Sequence, residues 1–407
     1  MSNIILMNLT GTDCPGIFQG LSSVLAEHKV RVLDVGQSVI HDTLTLAILV
    51  ALEAETESVP VLKDMLFKAH SYGLDIRFTP MSEEEYAKWV ESQDQSRHII
   101  TLLGREIEAW HLEKISGLVK AHGLTILTIG RLSGRLPVKQ NAEDAQACIE
   151  LSVWGAPDNP TTLRSDLLNA ADELGIDIAI QADDVYRRNR RLVAFDMDST
   201  LIQVEVIDEL AKAAGSGEEV MAITEAAMNG ELDFKESLER RVATLKGLPA
   251  SAMEEIAEKL PLTEGAELLI RTLKTLGYQT AILSGGFSYF AEHLQEKLGI
   301  DYVHANVLEI IDGKLTGRVL GEIIDGQRKA ALLKEIAVAQ GIKRRQTIAV
   351  GDGANDLPML DRAGLGIAFR AKPKVKESAE QALSCLGLDG ILYLIGMSDR
   401  EIKQARG

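Results

Sequence analysis

Hydrophobic and polar residues follow one pattern twice within the first 182 residues of the chain. Short apolar or alternating runs predict strands, and apolar positions three or four residues apart predict helices. In the first copy the predicted strands are 4–9, 30–40, 44–52 and 74–78, and the predicted helices are 15–28 and 59–71. In the second copy the strands are 98–103, 124–132, 147–154 and 176–180, and the helices are 109–121 and 161–174. Each copy has the order βαββαβ, which predicts two small α+β domains.

Two matching segments support this repeat. Residues 28–36 (HKVRVLDVG) align with 122–130 (HGLTILTIG), and 73–76 (GLDI) align with 175–178 (GIDI). The second copy is longer, and we expect the additional residues in its hairpin loop around 137–144, because loops tolerate insertions. Residues 81–97 are polar and rich in Glu, which predicts a linker helix. The predicted domains are therefore 1–80, 98–186 and 187–400.

Three short apolar runs in the second half of the chain end in residues that suit phosphate chemistry. Leu192–Phe195 precedes DMDST, Thr280–Leu283 precedes SGG, and Thr347–Val350 precedes GDGAND. Each run predicts a buried strand, and open α/β sheets bind ligands beyond the carboxyl ends of their strands. We therefore expect one edge of a sheet to carry Asp196, Asp198, Ser284, Asp352 and Asp356.

This edge needs positive charge. Crowding Asp196, Asp198 and Asp352 is costly unless a hard cation lies among them, and magnesium is the expected cation. Ser284 and the two glycines after it precede a predicted helix, an arrangement that suits a phosphate group. Lys329 begins another predicted helix, which runs to Gln340. Each feature alone also has a purely structural explanation, and only their combination is specific.

The composition limits what the chain binds. It has 43 Lys and Arg against 60 Asp and Glu, a net charge of −17, which disfavours nucleic acid and anionic membranes. The basic cluster RRNRR at 187–191 predicts a solvated domain boundary. No apolar run reaches the roughly 18 to 20 residues of a membrane span, and the first residues lack a signal-peptide pattern. Three widely spaced cysteines, with no CxxC spacing, predict reduced thiols in the cytoplasm.

The order of the motifs resembles that of the haloacid dehalogenase superfamily across nearly all of residues 190–395. The resemblance implies a Rossmann-like α/β fold, in which a parallel sheet lies between helices and a cap covers the site. Residues 207–264 have a helical pattern and predict the cap. Residues 307–323 predict a β-hairpin flap that turns at Asp312-Gly313.

The resemblance also implies roles for the motif residues. Asp196 is the nucleophile that forms an aspartyl-phosphate, and Asp198 protonates the leaving oxygen and then activates water. Magnesium is bound by the carboxylates of Asp196 and Asp352 and by the backbone carbonyl of Asp198. The phosphoryl oxygens are held by Ser284, Gly285 and Lys329. The resemblance also implies that Asn355 lies near the phosphate, that Asp356 orients Lys329, and that Thr200 has a supporting role in the site.

The cap sequence resembles the phosphoserine phosphatases more narrowly. Glu205 lies nine residues after Asp196, and Met228, Phe234 and Arg241 follow at the spacing of that family. The resemblance implies that Glu205 meets the substrate ammonium group, that Arg241 binds its carboxylate, and that Met228 and Phe234 cover it. It thus implies hydrolysis of O-phosphoserine to serine and phosphate, the last step of serine biosynthesis.

The two βαββαβ copies resemble ACT domains, which have a ferredoxin-like fold. The sequence Asp13-Cys14-Pro15-Gly16 at the first strand-to-helix turn strengthens the resemblance, because such a turn presents backbone N–H groups to a carboxylate. It implies that free serine or another amino acid binds near Asp13 and Gly16 as an effector, and it implies a homodimer. A Pro-Gly pair that only starts the helix is the alternative. The second copy has Leu103-Gly104-Arg105-Glu106 at this turn, without the Pro-Gly pair.

Two other functions remain open from the sequence. One is an enzyme of the same superfamily that hydrolyses or transfers the phosphate of another small phosphomonoester. The other is an amino-acid-sensing regulator with an inert catalytic half, which the retained motif residues disfavour. A P-type ion pump shares the aspartate nucleophile, but the sequence lacks the membrane spans of such a pump.

Overall fold

The structure is a computed structural model that describes residues 3–52, 55–93, 95–135 and 145–405. The side chains of 55–58 and Met228, and the predicted loop 137–144, lie outside the described part. The chain divides into two units, Met1–Gln95 and Ser96–Gly407. Among the described residues, no helix has the length and apolar character that would let it cross a membrane.

The first unit contains one antiparallel sheet of four strands. Its elements are β1 (Asn3–Thr12), α1 (Ile17–Glu27), β2 (Arg31–Ile40), β3 (Thr43–Leu52), α2 (Glu55–Ser71), β4 (Asp75–Met81) and α3 (Glu83–Ser92). The strand order is β2-β3-β1-β4. Met7 and Leu46 from the sheet are buried with Leu21 of α1 and Met65 of α2, so both helices cover one face. The predicted βαββαβ order is confirmed.

The second unit begins with the second βαββαβ module. Its elements are β5 (Arg97–Gly104), α4 (Ala109–Ala121), β6 (Thr125–Arg131), β7 (Ala147–Trp154), α5 (Pro160–Leu174) and β8 (Asp177–Ala182). The strand order β6-β7-β5-β8 repeats that of the first module. The sequence explains both ends of helix α5. Asn159 caps its first turn, Pro160 is its first residue, and Gly175 ends it in the left-handed conformation with φ 66°.

The remainder of the second unit is an α/β domain. Its first elements are β9 (Leu192–Phe195), α6 (Val206–Ala214), α7 (Gly217–Met228), α8 (Phe234–Ala243), α9 (Ser251–Ala257), α10 (Ala266–Thr275), β10 (Gln279–Phe287), α11 (Ser288–Leu298) and β11 (Tyr302–Ile311). They are followed by β12 (Lys314–Leu320), α12 (Gly326–Ala339), β13 (Thr347–Gly351), α13 (Leu357–Arg362), β14 (Leu365–Phe369), α14 (Pro373–Ser378), β15 (Gln381–Leu383), α15 (Gly390–Leu394) and α16 (Asp399–Ala405).

Seven strands of this domain form one sheet in the order β12-β11-β10-β9-β13-β14-β15. Every pair is parallel except β11 with β12, the predicted hairpin, which turns at Asp312 and Gly313 with φ values of 50° and 71°. The central strand β9 is buried on both faces, which explains its uninterrupted apolar sequence. The Rossmann-like fold is confirmed, and helices α6 to α9 form the helical segment that the sequence predicted as a cap.

The second module packs directly against the α/β domain. The side-chain amide of Gln381 pairs with both backbone groups of Ile180, at 3.0 and 2.7 Å. The buried carboxylate of Asp177 accepts hydrogen bonds from the N–H groups of Ser384 and Cys385, at 2.8 and 2.7 Å. These contacts join β8 to β15 and the loop after it.

The expectation that the basic cluster 187–191 is solvated was wrong for two of its four arginines. Arg187 and Arg190 are only 4% and 8% exposed. Arg187 pairs with Glu150 of the second module, and Arg190 donates to the carbonyl of Arg345 near the start of β13. The cluster therefore lies between two packed parts of the same unit rather than on a free linker.

Candidate active site

Three carboxylates meet where strands β9 and β13 end. The two strands are parallel neighbours, and Asp196 follows β9 while Asp352 follows β13. One carboxylate oxygen from each of Asp196, Asp352 and Asp356 lies within 4.8 Å of the others. Parallel strands end at the same edge of a sheet, so the fold itself brings these residues together.

A buried lysine lies among the carboxylates. The side chain of Lys329 is 0% exposed, and its Nζ lies 2.9 Å from Oδ1 of Asp196 and 2.7 Å from Oδ1 of Asp356. Burial alone would lower the pKa of Lys329, but these two carboxylates outweigh burial and raise the pKa above its ordinary value. Asp325 caps helix α12 by accepting from the N–H of Arg328, which fixes the helix turn that carries Lys329.

The carboxylate cluster is short of positive charge. Burial, together with the charge of Asp356, raises the pKa of Asp196 well above its ordinary value, although Lys329 acts in the opposite direction. Burial also raises the pKa of Asp352 to about 7, and Asp356 adds to this shift. One lysine does not neutralise the group. Closely spaced oxygen donors with unneutralised charge fit a hard divalent cation.

Asp198 lies in a strained turn beside the cluster. Ser199 has a φ of 54°, which is unusual for a residue other than glycine. The Ser199 hydroxyl donates to Glu205 at 2.8 Å, and Oδ1 of Asp198 accepts from the N–H of Val206 at 3.1 Å. Burial raises the pKa of Asp198 well above its ordinary value, and the charges of Glu205 and Asp196 add to the shift. The Asp198 carboxyl is therefore disposed to hold a proton.

The segment Ser284-Gly285-Gly286 approaches its neighbours closely. Ser284 is fully buried, and its Oγ accepts from the N–H of Gly286 at 2.8 Å. A Cβ on Gly286 would lie 2.5 Å from Oδ2 of Asp198, and a Cβ on Gly285 would lie 2.9 Å from Cζ of Phe234. A side chain at either position would displace the Asp198 carboxyl group or the Phe234 ring, so the two glycines allow these groups to lie close to the segment.

Asn306 on β11 holds this segment in place, although no motif of the sequence predicts this role. The residue is 1% exposed. Its Nδ2 donates to the carbonyl of Gly285 at 2.8 Å, and its Oδ1 accepts from the N–H of Ile324 at 2.8 Å. It thereby links the Ser-Gly-Gly segment to the chain that enters α12. The available signal was a lone amide side chain within the largely apolar stretch YVHANVL.

Further contacts order the loop after β13. The buried hydroxyl of Thr200 donates to Oδ1 of Asp352 at 3.0 Å, and the N–H of Gly353 donates to Oδ2 of Asp356 at 3.0 Å. The half-buried Asn355 folds back over this loop. Its amide oxygen lies so close to Gly353 that an added Cβ at Gly353 would collide with it. The structure therefore places all the motif residues predicted from the sequence around one site.

The cap reaches the site through the start of α8. Phe234 packs over Gly285, and the neighbouring Lys235 pairs with Asp325 at 3.4 Å. These contacts join the cap to the Ser-Gly-Gly segment and to the residue that caps α12. The side chain of Met228, which the sequence places over the substrate, lies outside the described part.

Arg241 on α8 shares an electrostatic environment with the acidic site. It is half-buried, and burial lowers its pKa, while the charges of Glu205, Asp208 and Asp198 act in the opposite direction. Among the described residues, its Nε donates one long hydrogen bond, to the carbonyl of Ser237 at 3.4 Å. Glu205 is exposed. The positively charged Arg241 and the negatively charged Glu205 are thus both available near Asp198 to bind charged groups of a ligand.

The turn predicted to bind an effector belongs to the first unit. Asp13 is exposed, and its N–H donates to the carbonyl of Asp42 at 2.7 Å. Gly16 has a φ of 91°, which favours glycine. Helix α1 begins only after it, at Ile17, rather than at the predicted Pro15.

Three parts of the chain match known protein families. Residues 190–364 match the haloacid dehalogenase-like hydrolases. Residues 3–79 and residues 96–181 each match an ACT domain family. The resemblances stated from the motifs and from the repeated βαββαβ order are confirmed.

Several proteins are similar over most of this chain. A phosphoserine phosphatase of Mycobacterium tuberculosis is 43% identical over 402 residues, which cover 98% of this chain and 95% of the relative. One of Streptomyces coelicolor is 42% identical over 404 residues, covering 98% and 94%. The unliganded crystal structure of a probable phosphoserine phosphatase from Vibrio cholerae is 36% identical, with a TM-score of 0.59, and covers 77% of this chain and 89% of that chain. A haloacid dehalogenase family hydrolase of Salmonella enterica is 30% identical, with a TM-score of 0.63, covering 73% and 99%.

Replacing Lys329 with Met should destabilise the second unit. Asp196 and Asp356 would stay buried without their counter-charge, so the free energy of unfolding should fall by about 3–5 kcal/mol. Adding Asp356→Asn should recover part of this loss, because it removes one of the two uncompensated charges. Urea unfolding in EDTA at about pH 8 measures both effects. Lys334→Met, an exposed position on the same helix, is the matched control, and an equal loss there would contradict the account.

Proposed function

This chain belongs to the phosphoserine phosphatase family of haloacid dehalogenase-like hydrolases, and we propose that its acidic site hydrolyses O-phosphoserine to serine and phosphate. The observation that carries the proposal is the buried Lys329, held between Asp196 and Asp356 at the carboxyl edge of the sheet. A phosphate monoester is anionic and repels nucleophiles. A fixed cation beside a carboxylate nucleophile overcomes this repulsion and holds the reacting groups in line.

We assign magnesium to the acidic cluster, with the carboxylates of Asp196 and Asp352 and the backbone carbonyl of Asp198 as its protein ligands. The assignment is supported by the all-oxygen donor set, since carboxylate oxygens of Asp196, Asp352 and Asp356 lie within 4.8 Å of one another. When bound, magnesium neutralises charge on the phosphoryl oxygens and orients them.

In the proposed reaction, a carboxylate oxygen of Asp196 forms a bond to phosphorus while the bond from phosphorus to the seryl oxygen breaks. Asp198 gives its proton to the leaving oxygen, which keeps the bonding electron pair. Asp198 then takes a proton from a water molecule that attacks the aspartyl-phosphate. The bond between phosphorus and Asp196 breaks, and both aspartates are regenerated. The raised pKa of Asp198 supports this role, because the group must begin protonated.

We assign binding of the phosphoryl oxygens to the Ser284 hydroxyl, the Gly285 N–H and the Lys329 ammonium group. Asn306 supports this arrangement as a positioning residue, because it fixes the Gly285 carbonyl and therefore the direction of that segment. The supporting roles are Asp356 holding Lys329, Thr200 holding Asp352, and Asn355 near the phosphate.

Selectivity for phosphoserine is assigned to the cap. Glu205 would meet the substrate ammonium group, and Arg241 would bind the substrate carboxylate through two parallel hydrogen bonds. Phe234 and Met228 would cover the substrate. The assignment is supported by the position of Phe234 over Gly285 and by the position of Arg241 near the charges of Glu205 and Asp198.

The first ACT module is proposed to bind free serine or another amino acid near Asp13 and Gly16. The first N–H groups of α1 have no partners within the helix, and the left-handed Gly16 lies just before them. This arrangement suits a carboxylate.

We propose the domain boundaries 1–80, 81–97, 98–186 and 187–400, with the cap at about 207–264. A homodimer in the cytoplasm stays a prediction, and light scattering of the purified chain tests its oligomeric state.

Arg105 connects the second module to the end of the cap segment. Its Nη2 lies 2.6 Å from Oε1 of Glu264, whose other oxygen lies 2.9 Å from Arg370. The N–H of Thr263, the residue before Glu264, donates to the carbonyl of Leu201 at 2.9 Å, where the cap rejoins the catalytic core. We propose that a change in this module alters catalysis through that junction.

Arg241→Ala should reduce kcat/KM for O-phosphoserine by about 100-fold, because losing a bidentate ion pair costs about 3 kcal/mol. O-phosphoethanolamine lacks the carboxylate, so its kcat/KM should fall by less than about threefold. Phosphate release measured with magnesium gives both values, and EDTA should stop release from either substrate. Arg240→Ala removes an exposed arginine that pairs with Glu236, and it should leave both values unchanged.

Three results would contradict parts of this proposal. Equal losses on both substrates in Arg241→Ala would remove Arg241 from carboxylate binding. Faster release from homoserine phosphate or a sugar phosphate than from phosphoserine would indicate another enzyme of the superfamily. No magnesium-dependent release from any of these esters would indicate an inert regulator.

Serine, or another amino acid tested in turn, should lower the activity of the full chain through the first module. Asp13→Ala should shift the half-effective concentration by about fivefold or more, a typical size for a coupling between sites. Initial rates over a series of amino-acid concentrations measure this shift. Asp75→Ala changes another exposed aspartate of the same unit and should behave like the unaltered protein. An identical response in Asp13→Ala would refute the effector site, since product binding at the active site would then explain it.

A further inference from the structure

A cavity of about 700 Å³ lies at the edge of the seven-stranded sheet opposite to the acidic site. Residues 188–191, which lead into β9, form one wall, and residues 275–278, which lead into β10, form another. Residues 395–397 and the C-terminal part of α16 complete it. These segments precede the strands, whereas the catalytic residues follow them. The volume is typical of small-molecule sites.

The wall of this cavity is positively charged in a protein whose net charge is −17. It contains Arg188, Arg190 and Arg191 and a single carboxylate, Glu401. In the described part of the chain, ion pairs hold the adjacent Arg187 and Arg345, but none holds the three arginines of the wall. The Glu401 carboxylate is already engaged by the N–H and hydroxyl of Ser398, at 2.6 and 2.7 Å. The wall therefore carries an excess of about two positive charges.

Arg190 is the most buried of these three arginines. It is 8% exposed, and its Nε has no hydrogen-bond partner among the described residues. A buried guanidinium group without a counter-charge is costly, and the charge of an anion in the cavity would lower that electrostatic cost. Gly396 allows the close packing here, because a Cβ at that position would lie 2.8 Å from the Nε of Arg188.

Apolar side chains also line the cavity, namely Leu276, Ile395 and Met397, together with the ring of Tyr278. A simple inorganic anion would leave these side chains without a partner. A ligand that carries both an anionic group and a flat or apolar group would contact both kinds of side chain.

We propose that this cavity binds a small organic phosphate. Its dianionic phosphate, with a charge of about −2, would match the excess positive charge and pair with the guanidinium groups. Its organic part would lie against Leu276, Ile395 and Met397. The proposal is independent of the catalytic assignment, because none of these residues belongs to the acidic site.

A ligand at this position would contact the base of the strand that carries the nucleophile. The N–H of Arg191 donates to the carbonyl of Gln346, and the carbonyl of Arg191 accepts from the N–H of Gln279, both at 2.8 Å. These bonds align β9 with β13 and β10, and β9 is only four residues long before Asp196. The cavity therefore borders the hydrogen bonds that hold the strand of the nucleophile in the sheet.

Calorimetric titration of the full chain with AMP in EDTA tests the proposal. Without metal, the acidic site repels a phosphate, so the cavity is the expected site of binding. Arg188→Gln/Arg191→Gln should weaken AMP binding by about tenfold or more, which corresponds to roughly 1.4 kcal/mol. Both residues are exposed, so the variant is expected to fold, and thermal melting checks this. Arg31→Gln/Arg77→Gln removes two exposed arginines of the first unit and should bind AMP normally.

Adenosine and inorganic phosphate complete the test. Both should bind more weakly than AMP, since each makes only one of the two kinds of contact. Absence of AMP binding, or equal binding by Arg188→Gln/Arg191→Gln, would overturn the site. Adenosine binding as tightly as AMP would exclude the phosphate contact, and inorganic phosphate binding as tightly as AMP would exclude the apolar one. Either result would overturn the organic-phosphate assignment.

Discussion

The buried ammonium group of Lys329 is the constraint on which the rest of this structure depends. A charge without contact to water is tolerated only when opposite charges touch it, and Asp196 and Asp356 do so at 2.9 and 2.7 Å. The three residues come from α12, the end of β9 and the loop after β13. Their contact forms only when these elements are correctly packed, so folding of the domain and assembly of the site are one event.

The neighbouring features extend this charged centre into a site. Gly285 and Gly286 leave space at the end of β10, Asn306 fixes the direction of that segment, and Phe234 of the cap lies over it. The second ACT module is packed into the same unit through Gln381 and Ile180, rather than attached by a free linker. Its Arg105 contacts Glu264 where the cap rejoins the core, so the second module touches the junction between the cap and the catalytic core.

The sequence predicts the central site well because each motif follows a short apolar run, and strand ends in a parallel sheet converge. Asn306 could not be found this way, since its role depends on β11 lying beside β10 and on the distant Ile324. The burial of Arg187 and Arg190 was also missed, because local sequence does not encode how the second module packs on the base of β9. Helix α1 was predicted two residues too early, since the left-handed Gly16 ends the turn before the helix begins.

The most direct test of the account is the location of the covalent phosphate. Mixing the magnesium-loaded protein briefly with O-phosphoserine, quenching with acid and mapping peptides by mass spectrometry measures it. The account predicts one phosphoryl group on Asp196, and none on an Asp196→Asn protein that still folds. Normal phosphate release by Asp196→Asn, or a phosphoryl group on a different residue, would contradict it.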